Sequence, residues 1–166
     1  MGQIMTIEKL ELKKPSALNG MEVNQLVADC APLDTNSVYC NLLQCDHFSD
    51  TSVAAELDDA LVGFISGYLL PAKTDTLFVW QVAVHESARG KGLAKKMLRD
   101  ILSRPSCAGV RYLETTITRS NEGSWALFRS LAKQLNSPLN ESVQFDKETH
   151  FKGKHDTEYL VRIGPF

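Results

Sequence analysis

The chain switches repeatedly between two hydrophobic periods, and the switches mark out its elements. Residues 7–12 read as a first strand. From Asn19-Gly20 the apolar positions Val23, Leu26, Val27 and Cys30 follow helical spacing, and Pro32 ends that helix. Asp34, Thr35 and Asn36 offer side chains to cap a second helix carrying Val38, Tyr39, Leu42 and Leu43. Residues 51–57 and 61–70 read as paired strands around a turn at Asp58-Asp59. Over 76–84 the pattern alternates: Phe78, Trp80, Val82 and Val84 share one face, and Leu77, Val79, Gln81 and Ala83 the other. A helix over 90–103 follows, with Leu93, Ala94, Met97, Leu98, Ile101 and Leu102 as its apolar stripe. Residues 110–116 form the next strand, and 121–135 a helix with Trp125, Phe128, Leu131 and Ala132 on one side. Two last strands, 142–145 and 157–163, flank a polar loop containing His150 and His155. This succession predicts an α/β fold, a mixed sheet with helices packed on it, in one domain spanning 1–166.

Composition narrows the function classes. The 166 residues can bury a substantial core, and 43% hydrophobic against 23% charged residues excludes a disordered or fibrous chain. With a net charge of −2 and no basic stripe, nothing is built to hold a nucleic-acid backbone. The longest apolar run, 61–70, is broken by Gly63, Ser66 and Gly67 and is too short to span a bilayer. Met1-Gly2-Gln3-Ile4-Met5 lacks the charged start and apolar stretch of a signal peptide, so a cytoplasmic location is expected. Cys30, Cys40, Cys45 and Cys107 show no metal-ligand spacing and no neighbouring base. Reduced thiols and no metal are expected.

The densest chemical signal is a strand that runs into Ser87-Ala88-Arg89-Gly90-Lys91-Gly92-Leu93-Ala94 and then an amphipathic helix. A diphosphate needs several donors converging without side chains in the way. Gly90 and Gly92 permit a tight turn and close approach. The helix start adds unpaired N–H groups and the positive end of its dipole, and Arg89 and Lys91 add charge. The segment fits neither GxxxxGK[ST] nor GxGxxG, which disfavours nucleoside triphosphates and dinucleotides. Taken alone, it is equally a Gly-containing helix start on a basic surface.

Arg89-Gly90-Lys91-Gly92-Leu93-Ala94 resembles the R/Q-x-x-G-x-G/A signature of the GCN5-related N-acetyltransferases (GNAT), preceded by the strand Gln81-Val82-Ala83-Val84. The resemblance implies a mostly antiparallel mixed sheet with a V-shaped splay between two central strands, flanked by helices. It implies that the loop and helix start, Arg89 to Ala94, bind the pyrophosphate of acetyl-CoA, and that Val82, Ala83 and Val84 meet its pantetheine arm. Many members carry Asn-x-x-Ala-x-x-x-Tyr after the splayed strand, the Tyr protonating the departing thiolate. Here Asn121 matches, but Phe128 stands at the Tyr position and cannot donate a proton; the resemblance implies that both positions belong to the acetyl-CoA site.

Within that family, the stretches 31–43, 79–85 and 112–121 resemble the L-2,4-diaminobutyrate acetyltransferases of ectoine biosynthesis, Leu33-Asp34-Thr35-Asn36-Ser37-Val38-Tyr39 above all. That likeness implies acetylation of the 4-amino group of L-2,4-diaminobutyrate, and a homodimer. An amine must be neutral to attack a thioester, so the site must hold one ammonium, pair a carboxylate and deprotonate the other amine. Glu114 is the candidate base; a place on the solvent face of its strand, or pairing with Arg111, is the structural alternative. Asp34 is either an ammonium anchor or a helix cap. Tyr39 and Trp80 are either an aromatic wall for the substrate cation or core. His155 is a carboxylate partner, a proton relay or a solvated loop residue. The implied mechanism is direct attack, with the thioester oxygen polarised by a backbone N–H of the 81–84 strand. Another amine acceptor, or a non-catalytic acetyl-CoA sensor, is the competing reading.

Overall fold

A computed structural model describes residues 8–166 of the protein, so residue 7 of the first expected strand lies outside the described residues. The elements in chain order are β1 (Leu10–Lys13), α1 (Gly20–Asp29), α2 (Val38–Asp46), β2 (Val53–Leu57), β3 (Ala60–Leu70), β4 (Lys73–Val84), α3 (Leu93–Leu102), β5 (Tyr112–Thr118), α4 (Glu122–Gln134), β6 (Leu139–Phe145) and β7 (Glu158–Ile163). The strands form one mixed sheet in the order β1-β2-β3-β4-β5-β7-β6. The β1/β2, β2/β3, β5/β7 and β6/β7 ladders are antiparallel, and β4/β5 is parallel. The β4/β5 ladder runs from Thr76↔Tyr112 to Val79↔Thr115 and goes no further, although β4 continues to Val84 and β5 to Thr118. The pairing therefore stops part-way along both strands, where a splay was expected.

Several boundaries move, each for a local reason. The second helix is capped by Ser37, whose hydroxyl accepts from the Cys40 N–H, and not by Asp34, Thr35 or Asn36. The third helix begins at Leu93 instead of residue 90 because Gly90 and Gly92 hold φ of +78° and +71°, outside the right-handed helical region. A 3-10 turn at Ser49–Thr51 delays β2 to Val53. Pairing with β7 carries β6 back to Leu139, where polar residues gave no hydrophobic alternation to read.

The chain divides into two compact units. The first holds the residues up to Ser66 together with Gln81–Ile101. Its core gathers Val23, Leu26 and Val27 of α1 with Cys45, Phe64 and Ala83, and Leu33 and Leu61 pack against them. Helix α3 is drawn close to β3 where Gly63 leaves room: a Cβ there would lie 2.9 Å from Met97 Cε and 3.2 Å from Ala55 Cβ. The second unit holds Gly67–Trp80 and Leu102–Phe166. Leu77, Val79, Leu113 and Ile117 are buried on its strands, and Trp125, Phe128 and Leu131 on α4. The buried Leu77 and Val79 of β4 and the α4 stripe match the predicted periodicities. No helix among the described residues is long and apolar enough to cross a membrane.

Candidate active site

The first unit contains the glycine loop. As β4 ends, the His85 N–H donates to the Val62 carbonyl at 2.7 Å, and the His85 ring accepts from the Ser87 N–H at 3.1 Å, opening a turn over Glu86–Ala88. Arg89 then folds back, its Nε donating to the Val84 carbonyl at 3.0 Å. Gly90 and Gly92 take the left-handed conformation, and nothing lies within 4 Å of a Cβ built on either. A side chain would therefore be penalised by backbone conformation, by ~1–2 kcal/mol, without meeting any protein atom. The space in front of the loop is open. The first helical bond of α3 runs from the Lys96 N–H to Gly92 O at 3.1 Å, so the amides just after Gly92 begin the helix with no intrahelical acceptor. Exposed Arg89 and Lys91 flank them, Leu93 anchors the helix in the core and Ala94 is half-buried. Donors, dipole and positive charge are what an anion cradle requires.

The strand leading to it alternates as expected: Ala83 is buried, while Val82 and Val84 are half-buried on the other face. Val84 O already accepts from both Cys30 Sγ (3.3 Å) and Arg89 Nε, so that carbonyl serves the loop itself.

Between α1 and α2 lies a chain of side-chain amides that pattern reading missed. Asn24 Nδ2 donates to the Asn36 carbonyl and to Asn41 Oδ1, each at 3.0 Å. Asn41 Nδ2 continues to Gln44 Oε1 at 2.9 Å, and Asn36 Nδ2 donates to Gln81 Oε1 at 3.0 Å. Asn41 and Gln44 are wholly buried, and Gln44 Nε2 ends the chain without a hydrogen-bond acceptor. An unmet buried donor costs about 1–3 kcal/mol. The cluster of amides at 24, 36, 41, 44 and 81 was a visible signal, since buried Asn and Gln must find partners. Asp34 is exposed in the loop that this chain holds, and Tyr39, at the start of α2, is 69% exposed and is not a core residue.

In the second unit Glu114 is 4% exposed, which rules out the solvent-facing alternative. Its partner is Arg162 and not Arg111: Nη1 donates to Oε1 at 3.0 Å. The two residues are direct neighbours across the β5/β7 ladder. Arg162 is fixed further by Thr76 Oγ1 at 3.5 Å and by the Tyr112 ring, 3.8 Å from its guanidinium carbon. Arg162 engages the carboxylate through Oε1. On the opposite face of β5, Thr115 Oγ1 donates to Val79 O at 3.0 Å, at the last rung before the ladder ends.

Trp80 is 46% exposed and meets Tyr68 edge-on at 6.1 Å, so it is a partly open aromatic surface. His155 stacks on Phe151 at 4.5 Å, and its Nδ1 lies 2.6 Å from the Asp156 carbonyl; the ring is neither free nor fully solvated. Its loop is closed by its own bonds. The Asp146 carboxylate accepts from the N–H groups of Thr149 (2.8 Å) and Glu148 (2.9 Å), which hold it below the usual carboxylate range. Asn121 caps α4 by accepting from the Ser124 N–H at 3.1 Å. Phe128 is 2% exposed and is part of the core. The cysteines are free thiols, and burial pushes Cys45 up to about 11 and Cys107 upward as well, so neither is primed as a nucleophile.

A family model described as the acetyltransferase (GNAT) family matches residues 21–132, and the chain belongs to that family. Within it the resemblance is narrower. The chain is 55% identical to the L-2,4-diaminobutyric acid acetyltransferase of Methylotuvimicrobium alcaliphilum, covering 95% of this chain and 91% of that protein. It is 50% identical to the Vibrio cholerae enzyme of the same name, covering 91% and 87%. Among solved structures it resembles diaminobutyrate acetyltransferase EctA of Paenibacillus lautus in complex with its substrate L-2,4-diaminobutyric acid and coenzyme A. That match has a TM-score of 0.91 at 40% identity and covers 96% of each chain.

Proposed function

We propose that this chain transfers the acetyl group of acetyl-CoA to the 4-amino group of L-2,4-diaminobutyrate, giving N4-acetyl-L-2,4-diaminobutyrate for ectoine biosynthesis. The observation that carries the reading is the 55% identity to a relative of that name over nearly the whole chain, joined to a glycine loop open for a diphosphate.

The loop from Arg89 to Ala94 holds the pyrophosphate, through backbone N–H groups with Arg89 and Lys91 adding charge. Val82, Ala83 and Val84 meet the pantetheine arm, Ala83 through its backbone because its side chain is core, and Asn121 and Phe128 complete the cofactor-binding set. A backbone N–H of the 81–84 strand polarises the thioester oxygen. Asp34 pairs the substrate ammonium that does not react, and His155 pairs its carboxylate. Tyr39 and Trp80 each offer an exposed ring to the cation. Glu114 removes the proton from the 4-amine, directly or through water, its carboxylate oriented by Arg162. The neutral amine adds to the carbonyl carbon, and the tetrahedral intermediate collapses as the C–S bond breaks, the nitrogen giving up its second proton to the departing thiolate or to water. Coenzyme A thiolate is a weak base and leaves without a side-chain acid, which fits Phe in place of Tyr. The protein works as one catalytic domain, as a cytoplasmic homodimer, without metal, nucleic-acid or membrane partners.

The test mixes purified protein with acetyl-CoA and L-2,4-diaminobutyrate, follows thiol release and identifies the product by NMR, with ornithine, lysine and a polyamine in parallel. Selective release giving the N4-acetyl product is the expected result. Turnover of a different amine alone would replace the acceptor, and binding of acetyl-CoA with no turnover would indicate a sensor.

A further inference from the structure

The amide chain that begins at Gln81 has no role in the chemistry set out above, yet it touches both ends of the first unit's polar machinery. Gln81 opens the stretch of β4 that leads to the glycine loop. Asn36 stands in the α1–α2 connection, two residues after Asp34 and three before Tyr39. From Asn36 the contacts go in opposite directions: its side chain donates to Gln81 Oε1 at 3.0 Å, and its backbone carbonyl accepts from Asn24 Nδ2 at 3.0 Å. Asn24 in turn binds Asn41, and Asn41 binds Gln44. The connection is therefore gripped from β4 on one side and, on the other, from α1, whose Asn24 is itself bonded to α2.

The direction of the buried half follows from chemistry. The Asn36 carbonyl can only accept, so Asn24 must present its NH2 there; that same NH2 makes Asn41 present its oxygen, and Asn41's NH2 makes Gln44 present its own oxygen. The result is a Gln44 NH2 with no acceptor, in a side chain with no solvent exposure. An apolar pair at 41 and 44 would fill the same α1–α2 contact without that unmet donor. Packing alone thus gives no reason for the arrangement, whereas holding a loop at a set distance from a strand does.

We propose that Asn36 is a positioning residue: bonded to Gln81 and Asn24, it fixes Asp34 and Tyr39 relative to the cofactor-binding strand and so sets the approach of the acceptor amine. This rests on the acceptor reading given above. Asn36 touches no reacting atom; it acts through Asp34 and Tyr39.

Steady-state kinetics of Asn36→Ala and Asn36→Asp, with acetyl-CoA affinity by calorimetry and thermal midpoints, test the proposal. Asp keeps an acceptor to which a flipped Gln81 amide can donate, so it is the conservative variant. The expected result for Asn36→Ala is a KM for diaminobutyrate raised about tenfold with kcat reduced, acetyl-CoA affinity unchanged, and substantial recovery in Asn36→Asp. Equal losses of acceptor and cofactor binding that track the thermal midpoint, or no change in KM, would overturn it. If wild-type protein ignores diaminobutyrate but acetylates another amine, the acceptor reading fails, while the same KM split measured with that amine still decides the role of Asn36. Silence with every amine would overturn both.

Discussion

The glycine loop at Arg89–Ala94 and the Glu114–Arg162 pair are both polar centres, but they are assembled in opposite ways. The loop is local. Its donors, its charges and the glycines that shape it are consecutive residues, and it depends on the rest of the fold chiefly for a strand before it and a seated helix after it. The pair is not local. Glu114 and Arg162 lie 48 residues apart and meet because β5 and β7 settle in one register. A slip of one residue would put Arg162 on the opposite face and leave a carboxylate buried alone. A local device can be damaged without disturbing the fold, whereas a register-built one ties chemistry to stability.

That difference can be tested by substitution. The largest effect is expected from Glu114→Gln, which keeps shape and removes the proton acceptor: kcat should fall by about 10²–10³-fold while acetyl-CoA affinity holds. Near-wild-type turnover would remove Glu114 from the mechanism. Gly92→Glu should weaken acetyl-CoA binding by about 100-fold, as ~1–2 kcal/mol of backbone strain adds to a negative charge at the phosphate site. Titration calorimetry decides that case, and unchanged affinity would refute the cradle. Arg162→Met should lower stability on the order of 3 kcal/mol, read by urea unfolding, because it strands Glu114 in the interior. A loss of turnover with no loss of stability would mean that the pair is not register-bound as described.

The smallest effect belongs to the β6–β7 loop. The Asp146 carboxyl is held low by the Thr149 and Glu148 N–H groups, so the unfolded chain binds the proton more tightly. Its contribution is present above the ordinary value near ~3.9 and is lost as pH falls through the lowered folded value. Asp146→Ala should therefore lower the thermal midpoint slightly at pH 7 and flatten its dependence on pH below about 4. A variant whose acid unfolding profile matches wild type would show that the carboxylate caps nothing of consequence.

How much of this could be read from residues alone follows the same division. The alternation of β4, the stripes of α3 and α4 and the glycine loop were legible because each signal lies within a few consecutive positions. Glu114 stood among apolar neighbours, but the residues alone left a solvent-facing place equally open, and its partner was not legible. Arg111 is near in sequence, yet Arg162 is opposite it across the ladder. At the start of α2, Asp34, Thr35, Asn36 and Ser37 are all competent caps, and only the backbone path selects Ser37. Asn36 had been freed for Gln81 by that choice, and Tyr39, apolar by helical count, faces outward. Partners chosen by long-range packing leave no periodic trace.

The missing side chain at Gly63 has a consequence for how such a sequence can drift. Met97 fills the space over Gly63, and α3 carries the glycine loop at its N-terminal end. A substitution to Ala at 63 must be answered by a shorter or displaced side chain at 97, or the helix moves and takes the loop with it. Thioether side chains bend to accommodate more readily than branched ones, which makes Met a forgiving partner but not an indifferent one. Positions 63 and 97 should therefore vary together among functional descendants of this chain. Gly63→Ala paired with Met97→Ala should recover cofactor affinity that Gly63→Ala alone reduces.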